Sequence, residues 1–253
     1  MKFRTIRRLV YLKKARHRRG HGIHSPFLFQ LITNVVEDRK KLPEYKYLNK
    51  LKIKALKLLS NFSEPSTLSI YHQFNLPPLR PRRLYKKVEL PLKYCRVVFR
   101  LVREFKPRAI INYGPALGIN LAAISLADSD SIVYQINDVS VYELFSKELL
   151  KDSSMSNIYF FPENSVFSVT PEFLIVNYPD DPDKSRSILQ NCLNLHGDND
   201  VLIIRGIHES KTMENIWREL ITNESVRVTL DFFEIGIALF RKGLQKENFI
   251  HRF

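Results

Sequence analysis

The sequence predicts a doubly wound α/β fold: a seven-stranded, mostly parallel sheet preceded by a helical N-terminal extension. Three observations carry this. From residue 109 onward, short apolar runs alternate with stretches of helical spacing. The first run, Ala109 to Tyr113, ends in a turn with glycines at 114 and 118 and passes directly into helix. The last two runs are joined only by Asp231-Phe232-Phe233-Glu234, a connection too short for a crossover, so they are antiparallel neighbours.

The elements follow in order. Residues 2 to 19 alternate basic residues with Phe3, Ile6, Leu9, Val10 and Leu12, which reads as a basic amphipathic helix lying on a membrane or on the protein's own body. Gly20 and Gly22 break it, and Ser25-Pro26 starts another, with proline in its first turn and Phe27, Leu28, Leu31, Ile32 and Val35 at helical spacing. A Lys- and Leu-rich helix covers 45 to 62. Ser63 to Arg83, with four prolines, reads as a long irregular connection of the kind that is a lid, a linker or disordered. A helix over Leu90 to Phe105 stops before Pro107. Strands are expected at 109–113, 131–136, 158–161, 172–177, 200–204, 226–230 and 235–241, with helices after Gly118, over 141–150, from Pro182 to about 194, and over 211–221. The division expected is a basic, mostly helical extension over 1–89 and an α/β domain over 90–253.

The charge is unevenly placed. Residues 1–108 hold 28 Lys and Arg against 6 Asp and Glu, and residues 109–253 hold 12 against 20, so a basic front precedes an acidic back. Such a front suits nucleic acid or an anionic surface, but it contains no recognisable reader motif. A solvated helical face that packs against the acidic half is the favoured reading. Two cysteines without short spacing, Cys95 and Cys192, give neither a metal site nor a disulfide framework and fit a reducing cytoplasm. The N-terminus lacks the apolar core of a secretory signal, and no run approaches a membrane span. His21 and His24 lack a third ligand nearby, so a loop-fixing role is preferred to metal binding, with the mouth of a pocket as the other place for them.

Ligands of doubly wound sheets sit at the carboxyl ends of the strands, where Gly114 and Gly118 let the backbone approach closely. The glycine pattern alone is equally compatible with a turn that binds nothing. More specific are His-Gly-Ile-His-Ser-Pro-Phe at 21–27, Phe-Lys-Pro before strand one, Gly-x-x-x-Gly-Ile after it, and Asp231 to Gly236, Phe240-Arg241-Lys242 and Phe249 to Phe253 in the tail. Over nearly the whole chain this combination resembles the class I S-adenosylmethionine-dependent methyltransferases, and within them a bacterial O-methyltransferase-like subfamily.

The resemblance implies a cofactor site at Gly114, Gly118, Asn112, Asn137, Asp138 and Asn177, and this chain departs from it at the acids. Relatives carry an acid two residues before the first glycine, where Asn112 stands. The acid that holds the ribose hydroxyls falls at the tip of strand two, here Gln135-Ile136-Asn137-Asp138. Strand four ends in Asn177 in place of aspartate, and Arg205-Gly206 follow strand five where an aspartate pair is common. An amide keeps an acceptor oxygen but loses the charge, which costs about tenfold in affinity per exchange. Asp138, 20 residues after Gly118, lies near the spacing at which an acid meets a ribose. Asn177 and Arg205 offer little to a divalent cation, so no metal is expected. Arg205 is either a fork for an anionic group or a salt-bridge partner. The sequence therefore points to a divergent methyltransferase using S-adenosylmethionine on a small molecule without metal, and its rival is a non-catalytic scaffold that keeps the fold. Neither the catalytic residues nor the substrate is indicated, and His208-Glu209 reads as an ordinary loop pair.

Overall fold

The computed structural model describes residues 2–15, 22–61, 80–137, 140–162, 165 and 170–252. In chain order the elements are α1 (Lys2–Lys14), α2 (Pro26–Gln30) continuing as a π-helical turn (Leu31–Val36), α3 (Pro43–Asn61), α4 (Pro81–Val88), α5 (Leu92–Phe105), β1 (Ala109–Tyr113), α6 (Ile119–Ala127), β2 (Ile132–Asn137), α7 (Ser140–Leu150), β3 (Ile158–Pro162), β4 (Phe173–Val176), α8 (Pro182–Leu195), β5 (Val201–Arg205), α9 (Lys211–Thr222), β6 (Val228–Asp231), β7 (Ile235–Leu239) and β8 (Glu247–Ile250). Among the described residues the sheet has eight strands in the order β3-β2-β1-β4-β5-β7-β6-β8, where seven are expected from sequence. The extra strand, β8, joins the edge beyond β6 in parallel, with Thr229 opposite Asn248 and Asp231 opposite Ile250.

Two compact units divide the chain, one of residues 1–39, 107–113 and 166–253, the other of 40–106 and 114–165. In the first, β1, β4 and β5 run parallel, and β7 turns antiparallel between β5 and β6. All residues of β4, β5, β6 and β7 are buried, so both faces of these strands are covered, and β4 and β7 carry no polar side chain. Helix α1 is fixed on this unit by its tip: Tyr11 packs with Ala15 and Phe233, and its hydroxyl donates to the carbonyl of His251. Its basic residues meet the acidic back, Arg4 pairing with Glu209 at 2.8 Å and with Glu234, and Arg7 with Glu214.

Helix starts follow local chemistry. Ser25, Asp181 and Ser210 each accept an amide three residues on, from Leu28, Lys184 and Met213. The second unit holds α3 to α7 with the parallel pair β2 and β3, in which Gln135 stands opposite Phe160. Helix α5 closes at Lys106, in the left-handed conformation, immediately before Pro107. The irregular stretch expected over 63–83 is corrected at its end, because Pro81 opens helix α4 with the first-turn placement that its fixed φ favours. Residues 63–79 of that stretch lie outside the described residues, as do His21 and Asp138.

Candidate functional site

The glycine loop is the best-defined part of the site. Gly114 and Gly118 have φ of 108° and 100°, a region that side-chain-bearing residues rarely adopt. A Cβ on Gly118 would stand 3.3 Å from Leu149 Cδ2 and 3.5 Å from Leu150 Cγ, so α7 also packs closely on the loop. Being glycine, residue 118 brings no side chain to cap α6, and the cap comes from Glu89. This buried carboxylate accepts the N–H of Leu117 at 2.7 Å and of Ile119 at 3.3 Å on Oε1, and that of Asn120 at 3.1 Å on Oε2. A negative charge thus sits where the amides and dipole of a helix start favour one. On the other side of the loop, Gly114 N–H donates to the Ile136 carbonyl, and Gln135 Nε2 donates to the Gly114 carbonyl and, at 2.7 Å, to Asn137 Oδ1. The structure therefore links Gly114 with Asn137 through Gln135. Asn137 is buried, and its Nδ2 has no hydrogen-bond partner.

Asn112 and Asn177 belong to the other unit. Both are buried, Asn112 within β1 and Asn177 just past β4, where its N–H donates to the Tyr113 carbonyl. Arg205, at the end of β5, donates from Nη1 to Asn177 Oδ1 at 3.0 Å, and both side chains are buried. Sequence reasoning placed these two at the lost acidic positions, and the structure makes them a hydrogen-bonded pair. In this bond the guanidinium meets a neutral amide oxygen. The Tyr113 hydroxyl is pushed up to about 12, first by burial and then by Cys192, so the phenol stays protonated at neutral pH. Among the described residues no three His, Cys, Asp or Glu side chains cluster as metal ligands.

Two polar groups escaped the sequence reading. Glu89 is one of only six acids in the basic front, and its isolation there was the available signal. The other is His208, read above as a loop residue paired with Glu209. Its Nε2 stands 2.7 Å from Asp231 Oδ2, while Glu209 goes to Arg4. Asp231 Oδ1 accepts the Phe233 N–H at 2.8 Å, an Asx-type turn that fixes the carboxylate. Phe233, with φ of 70°, stacks on the imidazole at 5.2 Å between ring centres. The pairing to Asp231 places a ring proton on Nε2, and Nδ1 is buried without a hydrogen-bond partner.

No protein-family model matches this chain, and no curated protein resembles it in sequence. Solved structures do. A methyltransferase from Podospora anserina, PaMTH1, solved with S-adenosylhomocysteine bound, aligns over 86% of this chain and 97% of its own with a TM-score of 0.58 and 10% identity. The O-methyltransferase TomG from Streptomyces achromogenes, involved in tomaymycin synthesis and solved with S-adenosylmethionine, aligns over 80% and 91% with a TM-score of 0.52 and 11% identity. An O-methyltransferase from Bacillus cereus in complex with S-adenosylhomocysteine aligns over 84% and 97%, with a TM-score of 0.52 and 11% identity. The chain has the class I methyltransferase fold, at a distance in sequence where the likeness is one of fold.

Proposed function

We propose that this chain is a divergent S-adenosylmethionine-dependent methyltransferase that acts on a small molecule without a metal. The observation that carries the reading is the glycine turn between β1 and α6, held in a backbone conformation that glycine alone adopts readily, in a fold whose solved relatives include proteins with this cofactor or its product bound. The residues assigned to cofactor binding are Gly114, Gly118, Asn112, Asn137, Asp138 and Asn177. When bound, the cofactor supplies a methyl group on a sulfonium centre. The protein's part is to hold and orient it. The unpartnered Nδ2 of Asn137 is a buried donor of the kind a ribose oxygen satisfies, so the amide serves as a donor where a carboxylate would accept. Metal independence is supported by Asn177 and Arg205, which bond to each other and bring no carboxylate.

A second reading, a non-catalytic scaffold, is favoured by one specific feature: Glu89 already satisfies three backbone N–H groups at the start of α6. Calorimetric titration of the purified protein with S-adenosylmethionine and S-adenosylhomocysteine separates the two. Saturable binding of both at micromolar strength, lost in Gly118→Val, supports the enzyme. Absence of binding at millimolar concentration of either supports the scaffold.

A further inference from the structure

Helix α1 meets its unit with one side only. Tyr11 and Ala15 are buried with Phe233, and Arg4 and Arg7 are held by Glu209, Glu234 and Glu214. On the other side Ile6 is 58% exposed, Leu9 59% and Leu12 43%. Successive intervals of three residues make them neighbours along the helix surface, a continuous aliphatic stripe about 9 Å long. Single exposed apolar residues are ordinary, but these are three of the four large apolar side chains left exposed among the described residues of this unit.

The charge beside the stripe decides what can cover it. Helix α1 contains no Asp or Glu. Arg8 stands one turn before Leu12 and Lys13 one turn after Leu9, with Lys14 next to it; all three are exposed, and none forms an ion pair with a described residue. A second copy of the chain packed two-fold on this stripe would bring its cations against these. A nucleic acid would take the cations and leave three aliphatic side chains against phosphates. An anionic lipid surface takes both: the aliphatic side chains enter the boundary between headgroups and acyl chains, and the cations stay among the headgroups. No helix among the described residues is long and apolar enough to cross a membrane, so the contact is with its surface. The helix is also formed in advance. A 13-residue helix is marginal alone in water, and here Tyr11 and the two arginines hold it on the protein, so binding does not have to order it.

We infer that α1 is a surface anchor that lays Ile6, Leu9 and Leu12 into an anionic lipid membrane while its Tyr11 side stays on the protein. The inference is independent of the methyltransferase reading, because no residue assigned to the cofactor takes part and its test uses no methyl donor. The test is flotation of the full chain with vesicles of equal parts phosphatidylcholine and phosphatidylserine, and with vesicles of phosphatidylcholine alone. Binding to the mixed vesicles is expected, weakened by salt and much weaker on phosphatidylcholine. Leu9→Ser should weaken it about tenfold and Lys13→Gln about fivefold. Both side chains are exposed, so the urea midpoints of the two variants stay at the wild-type value and the losses report on the surface. No binding of the wild-type protein to the mixed vesicles overturns the inference. So does vesicle binding that is unchanged by Leu9→Ser, which marks adsorption of a basic chain by charge alone. Tighter binding of a duplex oligonucleotide than of the mixed vesicles, reduced by Lys13→Gln and unchanged by Leu9→Ser, assigns the face to nucleic acid and overturns it as well.

Discussion

Replacing Glu89 by glutamine tests whether the glycine loop owes its shape to this one carboxylate. The side chain is 1% exposed and accepts three amides, two on Oε1 and one on Oε2. Glutamine keeps one acceptor oxygen, but its NH2 opposes an amide N–H on the other side, whichever way the group is turned. Trading a charged acceptor for a neutral one weakens a hydrogen bond by about 1 kcal/mol, and leaving a buried N–H unsatisfied costs about 1–3 kcal/mol. Allowing for the overlap of these effects, we expect Glu89→Gln to lose about 3 kcal/mol. Urea unfolding should show a lower midpoint at unchanged slope. Hydrogen exchange should locate the loss, with the amides of Leu117, Ile119 and Asn120 exchanging faster than those of α5. A loss below about 0.5 kcal/mol, the range of ordinary surface changes, with those amides still protected, would refute the assignment.

Four further outcomes follow from the same structure. Asn137→Asp should strengthen the bond from Gln135 and add a charged acceptor where Nδ2 now stands without a partner, raising S-adenosylmethionine affinity about tenfold by calorimetry. Gly236→Ala should destabilise the protein by about 1–3 kcal/mol, because its Cβ would fall 2.5 Å from Trp217 Cζ3, and the fluorescence of this sole tryptophan reports the shift. Cys192, its thiol pushed up to about 12 chiefly by burial, should resist a thiol reagent at pH 8 in the native protein and react after denaturation. Burial raises Asp200 above the ordinary carboxylate value, so the native state holds that proton to higher pH than the unfolded chain; stability falls as pH rises through this interval, and Asp200→Asn should flatten the fall in urea midpoints.

What was legible in the sequence tracks how far each interaction reaches. Strands β1, β4 and β5 declare themselves as apolar runs bounded by glycine or proline, and the helices after Ser25, Asp181 and Ser210 start on caps three residues away. Strand β8 was missed because Glu247–Ile250 is four residues long, with only Phe249 buried, and it is a strand by virtue of pairing with β6. The site divides in the same way. The glycine loop was legible as a local turn. Glu89, however, acts on amides 28 to 31 residues away, and His208 finds Asp231 across 23 residues. The amide positions Asn112, Asn137 and Asn177 were legible only as departures from a resemblance, and the bond from Arg205 to Asn177 spans 28 residues.

The buried polar groups distinguish what holds this protein together from what remains for a ligand. Asn177 with Arg205, and Asp231 with His208 and the Phe233 amide, spend their capacity inside the fold. Such pairs set geometry, and breaking one leaves its partner buried alone. His208 Nδ1, Arg7 Nε and Asn137 Nδ2 behave differently, since each is buried and each has capacity left over. Asn137 Nδ2 is a donor beside the glycine loop and calls for an acceptor, which a ribose oxygen provides and a second N–H does not.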